Sequence, residues 1–196
     1  MKVLKMAVLI AATTFSLFSF QSSTEASTTH TVKSGETLWK IGHHYGISVI
    51  ELRNANQQWG DMIYIGQKLA IPQTITAAER DLLARLVSAE AKGESYAGKV
   101  AVATVVLNRV DHRDFPNTVK DVIYQIDGGH YAFTPVQNGT IHGAADAESI
   151  RAVNEALAFR GQGNGSLYFY NPKTSTSQWI FSREVTVRIG NHTFAK

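Results

Sequence analysis

The sequence predicts an α+β protein made of a small strand–helix–helix–strand unit followed by a larger, mainly helical domain. Two capping-box patterns, each a hydroxyl residue followed three positions later by glutamate, mark helix starts at Ser48 and Thr76. With 196 residues, 44% of them hydrophobic, the chain is long enough to bury a core in each part. A short link at 73–75 separates the two parts, which we place at 29–73 and 76–196.

Composition excludes several classes of function. The chain has no cysteine, which rules out disulfide scaffolds, cysteine nucleophiles and thiolate metal sites. A net charge of +3, from 19 Lys+Arg and 16 Asp+Glu, is too small and too dispersed for a nucleic-acid binder. The 7 histidines include no His-Glu-x-x-His pattern, and the adjacent pair His43 and His44 falls on a helix surface. We therefore expect no metal and no cofactor.

The first 26 residues have the pattern of a secretory signal. Lys2 and Lys5 precede an apolar run, and small residues around Ala26 suit cleavage after that position. Hydroxyl residues interrupt the run, and no later apolar segment is long enough to span a bilayer. We expect an exported protein without a stable membrane span after cleavage, and an uncleaved anchor is the alternative.

The small unit has extended segments at both ends and two helices between them. A turn at 33–35 leads into a helix that Gly46 ends, and Ser48 with Glu51 caps a second helix. Three stretches carry a close resemblance to the LysM domain: TVKSGETLWKI at 31–41, NAN at 54–56 and IGQKLAIP at 65–72.

The resemblance to LysM implies binding of glycans that contain N-acetylglucosamine, chiefly peptidoglycan and chitin. In LysM domains the sugar lies beside the turn after the first strand and near the end of the second helix. The resemblance therefore places four residues near the sugar: Gly35, Glu36, Thr37 and Ile63. The apolar residues Leu38, Trp39 and Ile41 we interpret as core instead.

A carboxyl group at the end of the next helix is the main catalytic candidate. After the cap at Thr76, the apolar stripe of this helix passes through Leu83 and Leu86 and continues to Glu90. Burial and the negative end of the helix both raise a carboxyl pKa, which keeps the group protonated and able to donate. The alternative is a partly exposed glutamate that pairs with a nearby cation, namely Arg85, Lys92 or Arg109.

The rest of the large domain is predicted as helices joined by extended segments. Asn108 and Arg109 end a nearly apolar central helix and need polar partners there. Asp146 caps a later amphipathic helix that ends at Gly161. The other elements are a short helix at 119–124, an irregular loop lining a cleft at 128–136, and extended segments at 167–172 and 185–190.

Residues 76–196 as a whole resemble the catalytic domain of cell wall hydrolases of the spore cortex-lytic enzyme family, SleB or CwlJ type. The stretches that carry the resemblance lie at 83–94, 98–110, 115–118, 122–125, 133–136, 167–172 and 189–195. That family implies a lysozyme-like or lytic-transglycosylase-like fold, with the glutamate of an Ala-Glu-Ala motif, here Glu90, as the acid. Residues 126–132 depart from the shorter Gln-Phe-Ser-Pro run of the family, so the resemblance does not define which residues line the cleft.

Together these features predict a peptidoglycan-degrading enzyme, most simply a lytic transglycosylase with Glu90 as its single acid and base. Tyr131, Thr134 and Tyr170 are candidates for orienting the sugar, as is Asn108. A hydrolytic muramidase or glucosaminidase is the alternative, and it needs a second carboxylate from the set Glu94, Asp127 and Asp146. An N-acetylmuramoyl-L-alanine amidase and an inert wall-binding protein are further alternatives.

Overall fold

A computed structural model describes residues 28–72 and 74–196 of the chain. The predicted signal at 1–26 and Gln73 of the link therefore lie outside the described residues. Within those two ranges, no helix has both the length and the apolar character needed to cross a membrane.

The small unit has the predicted order of strand, helix, helix and strand. Its elements are β1 (Thr28–Thr31), α1 (Leu38–Tyr45), α2 (Val49–Ala55) and β2 (Lys68–Ile71), and the two strands pair antiparallel. The Ser48 hydroxyl accepts from the Glu51 amide at 3.0 Å and Glu51 accepts in return from the Ser48 amide at 2.9 Å, which confirms the capping box. Leu38 and Ile41 lie in the core, but Trp39 is 44% exposed, so its assignment to the core was wrong.

The large unit is organised around one central helix. Its helices are α3 (Ala77–Glu90), α4 (Tyr96–Asp111), α5 (Val119–Ile123), α6 (Thr134–Asn138), α7 (Ala147–Ala158) and α8 (Gln178–Phe181). The choice of helix for the apolar stretch that became α4 is confirmed. Neighbouring elements surround α4 on several sides, and its buried side chains, among them Val102 and Val106, pack against α3 and α7.

Two small antiparallel sheets complete the large unit. A hairpin joins β3 (Ile126–Asp127) to β4 (His130–Tyr131), and a three-stranded sheet of order β5-β7-β6 contains β5 (Tyr168–Tyr170), β6 (Val185–Ile189) and β7 (His192–Ala195). The expectation of an irregular loop at 128–136 was wrong. Gly128 and Gly129 both have positive φ and form the tight hairpin turn, and Pro135 then lies in the first turn of α6.

The small unit packs directly on the large one, with α1 lying against α7. The Arg80 guanidinium on α3 donates to the Tyr45 carbonyl at 2.8 Å. The ring centres of Trp39 and of Phe159, at the end of α7, lie 6.4 Å apart. Polar and aromatic contacts therefore hold the two units together at both ends of α1.

Candidate active site

The last residue of α3, Glu90, lines a cavity of about 540 Å³. Helix α3 begins at the Thr76 cap and buries its apolar stripe in the core, which carries the carboxyl group to the edge of that core. The cavity walls come from the end of α3 and the turn after it, from the start of α4, from α6 and from the segment at 140–146 that leads into α7. Its polar lining residues include Arg85, Ser88, Glu90, Lys92, Lys99, Thr134, Asn138, Thr140 and Asp146.

The surroundings of Glu90 favour its protonated form. Burial raises the pKa of Glu90 from 4.5 to about 7, and the backbone amide of Thr134 and the charge of Arg109 lower it only partly. No ion pair within 4.0 Å includes Glu90 in the part of the chain that the structure describes. The cation pairing considered as an alternative is thus not formed, and the carboxyl can hold a proton near neutral pH.

A second carboxylate, Asp146, lines the same cavity but is already occupied by donors. One of its oxygens accepts from the Ser149 amide at 2.7 Å and from Lys99 at 3.1 Å. The other accepts from the hydroxyls of Ser88 and Ser149, both at 2.9 Å, and from Lys99 at 3.2 Å. The Ser149 amide and these further donors hold the pKa of Asp146 well below its usual range. Asp146 is thus a weak proton acceptor.

Two of the three cations in the cavity wall, Lys99 and Arg85, have partners of their own, and the third, Lys92, is exposed. Lys99, whose side chain is 8% exposed, pairs with Asp146 and also with Glu148 at 2.8 Å. Arg85 pairs with Asp81 at 2.9 Å and donates to a backbone carbonyl at 3.1 Å. Sequence reasoning did not single out Lys99, although a lysine within an almost apolar helix is a signal that an anion lies nearby.

Of the residues predicted to orient the sugar, Thr134 lines the cavity, where it lies with the predicted acid Glu90. Tyr131 lies on the β3–β4 hairpin and Tyr170 on β5 against Phe181, and neither is a lining residue of the cavity. Asn108 is partly buried, and its side-chain amide donates to the Ser166 carbonyl at 2.9 Å, which supplies the polar partner expected for it.

The other two candidate carboxylates lie elsewhere. Asp127 is exposed on the β3–β4 hairpin. Glu94 accepts from the backbone and side-chain amides of Asn191, at 3.1 and 3.0 Å, in the turn between β6 and β7. It thereby connects the start of α4 to the three-stranded sheet, outside the cavity lining.

In the small unit, three of the four residues predicted near the sugar, Gly35, Glu36 and Thr37, lie in the turn between β1 and α1. Gly35 adopts a φ of +78°, and Thr37 caps α1 through the Lys40 amide. Glu36 accepts from the Lys33 amide at 2.7 Å and from His30 at 2.8 Å, and these hydrogen bonds lower its pKa. The side chains of Glu36 and Thr37 are therefore engaged in hydrogen bonds within the turn.

An exposed apolar group lies next to this turn, around Ile63. The turn after β1 lies beside a second turn at 65–66. Two hydrogen bonds join them, from the Val32 amide to the Gln67 carbonyl and from the Gly66 amide to the Val32 carbonyl. Ile63 packs partly against the core, and the apolar group on its flanks is exposed by 68% to 91%: Trp59, Met62, Tyr64 and Ile65. So much exposed apolar surface on a small unit is typical of a binding surface.

Among residues 28–72 and 74–196, no group of three His, Asp or Glu side chains is placed to hold a metal ion.

Comparison with known proteins identifies both units. The family described as Cell Wall Hydrolase matches residues 93–195, a little over half of the chain. The chain belongs to the cell wall hydrolase family. The matched range begins just after Glu90, and a LysM domain matches residues 30–72 of this cell wall hydrolase.

Curated relatives of this cell wall hydrolase include proteins named spore cortex-lytic enzyme. The one from Halalkalibacterium halodurans is 41% identical over 124 residues, which are 63% of this chain and 36% of the relative. The one from Bacillus cereus is 39% identical over 126 residues, 64% of this chain and 47% of the relative. The chain thus spans less than half of the length of these relatives.

A solved structure also matches. It is the catalytic domain of the germination-specific lytic transglycosylase SleB from Bacillus anthracis, with a TM-score of 0.57 and 38% sequence identity. The match covers 64% of this cell wall hydrolase and 100% of that chain. The predicted resemblance to the SleB type, and with it the mainly helical fold of the large unit, is confirmed.

Proposed function

We propose that this protein degrades peptidoglycan as a lytic transglycosylase, with Glu90 as its single acid and base. The observation that carries the proposal is a carboxyl group whose pKa is raised to about 7 in a cavity whose other carboxylate already accepts several hydrogen bonds. The names of the relative from Bacillus anthracis and of the spore cortex-lytic enzymes support the same activity.

The reaction needs one proton carrier. Protonated Glu90 donates to the glycosidic oxygen as the bond from muramic acid to that oxygen breaks, and it is left as a carboxylate. The carboxylate then accepts the proton of the 6-hydroxyl of the same muramic acid, whose oxygen bonds to the anomeric carbon and closes a 1,6-anhydro ring. Glu90 ends protonated again, and no water is consumed.

A hydrolytic reaction is the second candidate, because Asp146 lines the same cavity. Hydrolysis with inversion needs a carboxylate that accepts a proton from water, and retention needs one that attacks the anomeric carbon. Five donor contacts and a lowered pKa make Asp146 poor in both roles. The structure therefore favours the transglycosylase over the hydrolase.

We propose further that residues 29–73 form the LysM glycan-binding domain and 76–196 the catalytic domain of an exported protein. In this proposal the signal at 1–26 is removed, and the small unit holds the enzyme on the glycan of the wall. In the small unit, the sugar site is shaped by Gly35, Glu36, Thr37 and Ile63. In the cavity, Thr134 orients the sugar, while Tyr131 and Tyr170 contact more distant parts of the glycan chain.

The test is mass spectrometry of the fragments that the purified protein releases from vegetative and from spore cortex peptidoglycan. We expect anhydromuramic ends, lost in Glu90→Gln and kept in Glu94→Gln, a matched change outside the cavity. Reducing ends that also disappear in Asp146→Asn would establish the hydrolase. Free peptides with intact glycan strands would overturn both proposals in favour of an amidase, and no release from either substrate would favour an inert wall-binding protein.

A further inference from the structure

Arg109, on the last turn of α4, is a buried cation enclosed by aromatic rings. It is 8% exposed, and its Nε donates to the Leu167 carbonyl at 2.7 Å. The guanidinium carbon lies 5.2 Å from the ring centre of Phe115, 5.1 Å from that of Phe133 and 5.6 Å from that of Tyr168. Three ring contacts and one hydrogen bond fix the position of the positive charge.

This charge acts on Glu90 without forming an ion pair. The Phe133 ring that Arg109 contacts directly precedes Thr134, which lines the cavity together with Glu90, so the guanidinium lies behind the cavity wall on the Glu90 side. In keeping with this placement, the charge of Arg109 lowers the pKa of Glu90, and Glu90 raises that of Arg109. Burial lowers the pKa of Arg109 to about 10, which leaves it charged at neutral pH. The described ion pairs nevertheless include none between Arg109 and any carboxylate.

The other charged groups around Glu90 are engaged elsewhere or lie near the surface. On its own helix, Arg85 pairs with Asp81, and Lys92 lies exposed beyond the helix end. From α4, Lys99 pairs with Asp146 at the start of α7. Helix α6 carries no charged residue, and His142 of the neighbouring 3₁₀ turn is not a lining residue of the cavity. Arg109 is thus the cation whose charge reaches Glu90.

We infer that Arg109 is a positioning residue for the acid. The aromatic rings around it hold the guanidinium where it stabilises the Glu90 carboxylate that proton transfer leaves. They also keep the guanidinium from pairing with that carboxylate before the reaction. The inference rests on the proposed function of Glu90. An arginine free to move would form a direct ion pair, which would keep Glu90 ionised and unable to donate. With no cation nearby, the carboxylate formed during the reaction would be left in a partly buried site without compensation.

The test follows the titration of Glu90 by carboxyl ¹³C NMR, with the resonance assigned through Glu90→Gln, and it also measures glycan cleavage against pH. In Arg109→Met we expect the titration midpoint and the alkaline limb of activity to move to higher pH, and kcat to fall by about tenfold. Arg109→Lys keeps the charge and should restore a midpoint at or below that of the wild type. Arg183→Met is the matched control, because Arg183 stacks on Tyr168 and Trp179 without acting on Glu90.

A folded Arg109→Met protein with an unchanged Glu90 midpoint would overturn the inference, as would an equal shift in Arg183→Met. If Arg109→Met does not fold, Phe115→Leu takes its place, since it keeps the arginine and removes one ring. That variant should titrate at lower pH as the guanidinium moves toward Glu90, and an unchanged or higher midpoint would count against the role of the rings. The NMR titration does not depend on activity, so a protein without glycan cleavage would refute the proposed function separately.

Discussion

Replacing Glu90 by glutamine should make the protein more stable at alkaline pH while removing its activity. A carboxyl whose pKa rises from 4.5 in the unfolded chain to about 7 in the folded protein binds its proton more tightly when folded. Its stabilising effect is therefore complete below pH 4.5 and is lost as the pH rises through 7. Glutamine is neutral throughout and does not impose this loss.

The size of the effect follows from the two pKa values. Over the whole interval the wild type loses at most about 3.4 kcal/mol, of which roughly 2.5 kcal/mol falls between pH 5 and pH 8. For a domain of this size that difference corresponds to several degrees in Tm, since about 1 kcal/mol shifts Tm by 2–4 °C.

Thermal unfolding of the wild type and of Glu90→Gln at pH 5 and pH 8 measures the effect directly. We expect the advantage in Tm of the variant to be larger at pH 8 than at pH 5. Glu94→Gln serves as the control, because hydrogen bonds to Asn191 lower the pKa of Glu94. An advantage of Glu90→Gln that is equal at the two pH values would refute the reasoning that Glu90 is protonated in the folded protein.

Three further predictions concern other parts of the molecule. Gly190→Ala should lower the free energy of unfolding by about 1–3 kcal/mol, because φ is +57° and the new Cβ would collide with Glu94. An unchanged Tm would contradict this prediction, and adding Glu94→Ala should recover part of the lost stability. Arg80→Ala removes the hydrogen bond to the Tyr45 carbonyl and should speed proteolysis of the link between the units, unlike a matched surface arginine variant. Trp59→Ala should weaken sedimentation with insoluble peptidoglycan by about tenfold without changing Tm, and equal sedimentation would exclude the exposed apolar group as a contact.

Features set by local sequence could be predicted. The capping boxes at Ser48 and Thr76 depend on residues three positions apart, and the position of Glu90 follows from helical periodicity along a single helix. These signals fixed the starts of two helices and put one carboxyl group at the edge of the core. The tendency of that carboxyl to stay protonated also followed, because burial on an apolar stripe is a local property.

Features that depend on distant residues could not be predicted. Lys99 and Asp146 are separated by 47 positions, so no spacing rule links the cation to the carboxylate. Strand β7 received no prediction of its own, because it is central to its sheet only through pairing with β5 and β6. The hairpin at Gly128 and Gly129 was missed although a pair of glycines is a known turn signal, since the flanking strands have only two residues each.

The docking of α1 against α7 has a consequence for the proposed function, in which the small unit anchors the protein on glycan and the large unit cuts it. A catalytic domain on a flexible tether can sample many bonds around one anchoring point. Here α7 reaches from Phe159 beside Trp39 to Asp146 in the cavity wall, so the anchor and the cavity are joined through a single helix. On the proposed function, an enzyme built in this way would reach bonds at one fixed distance from its anchor and would have to detach before it cuts elsewhere. Anchoring that is too tight would therefore slow turnover.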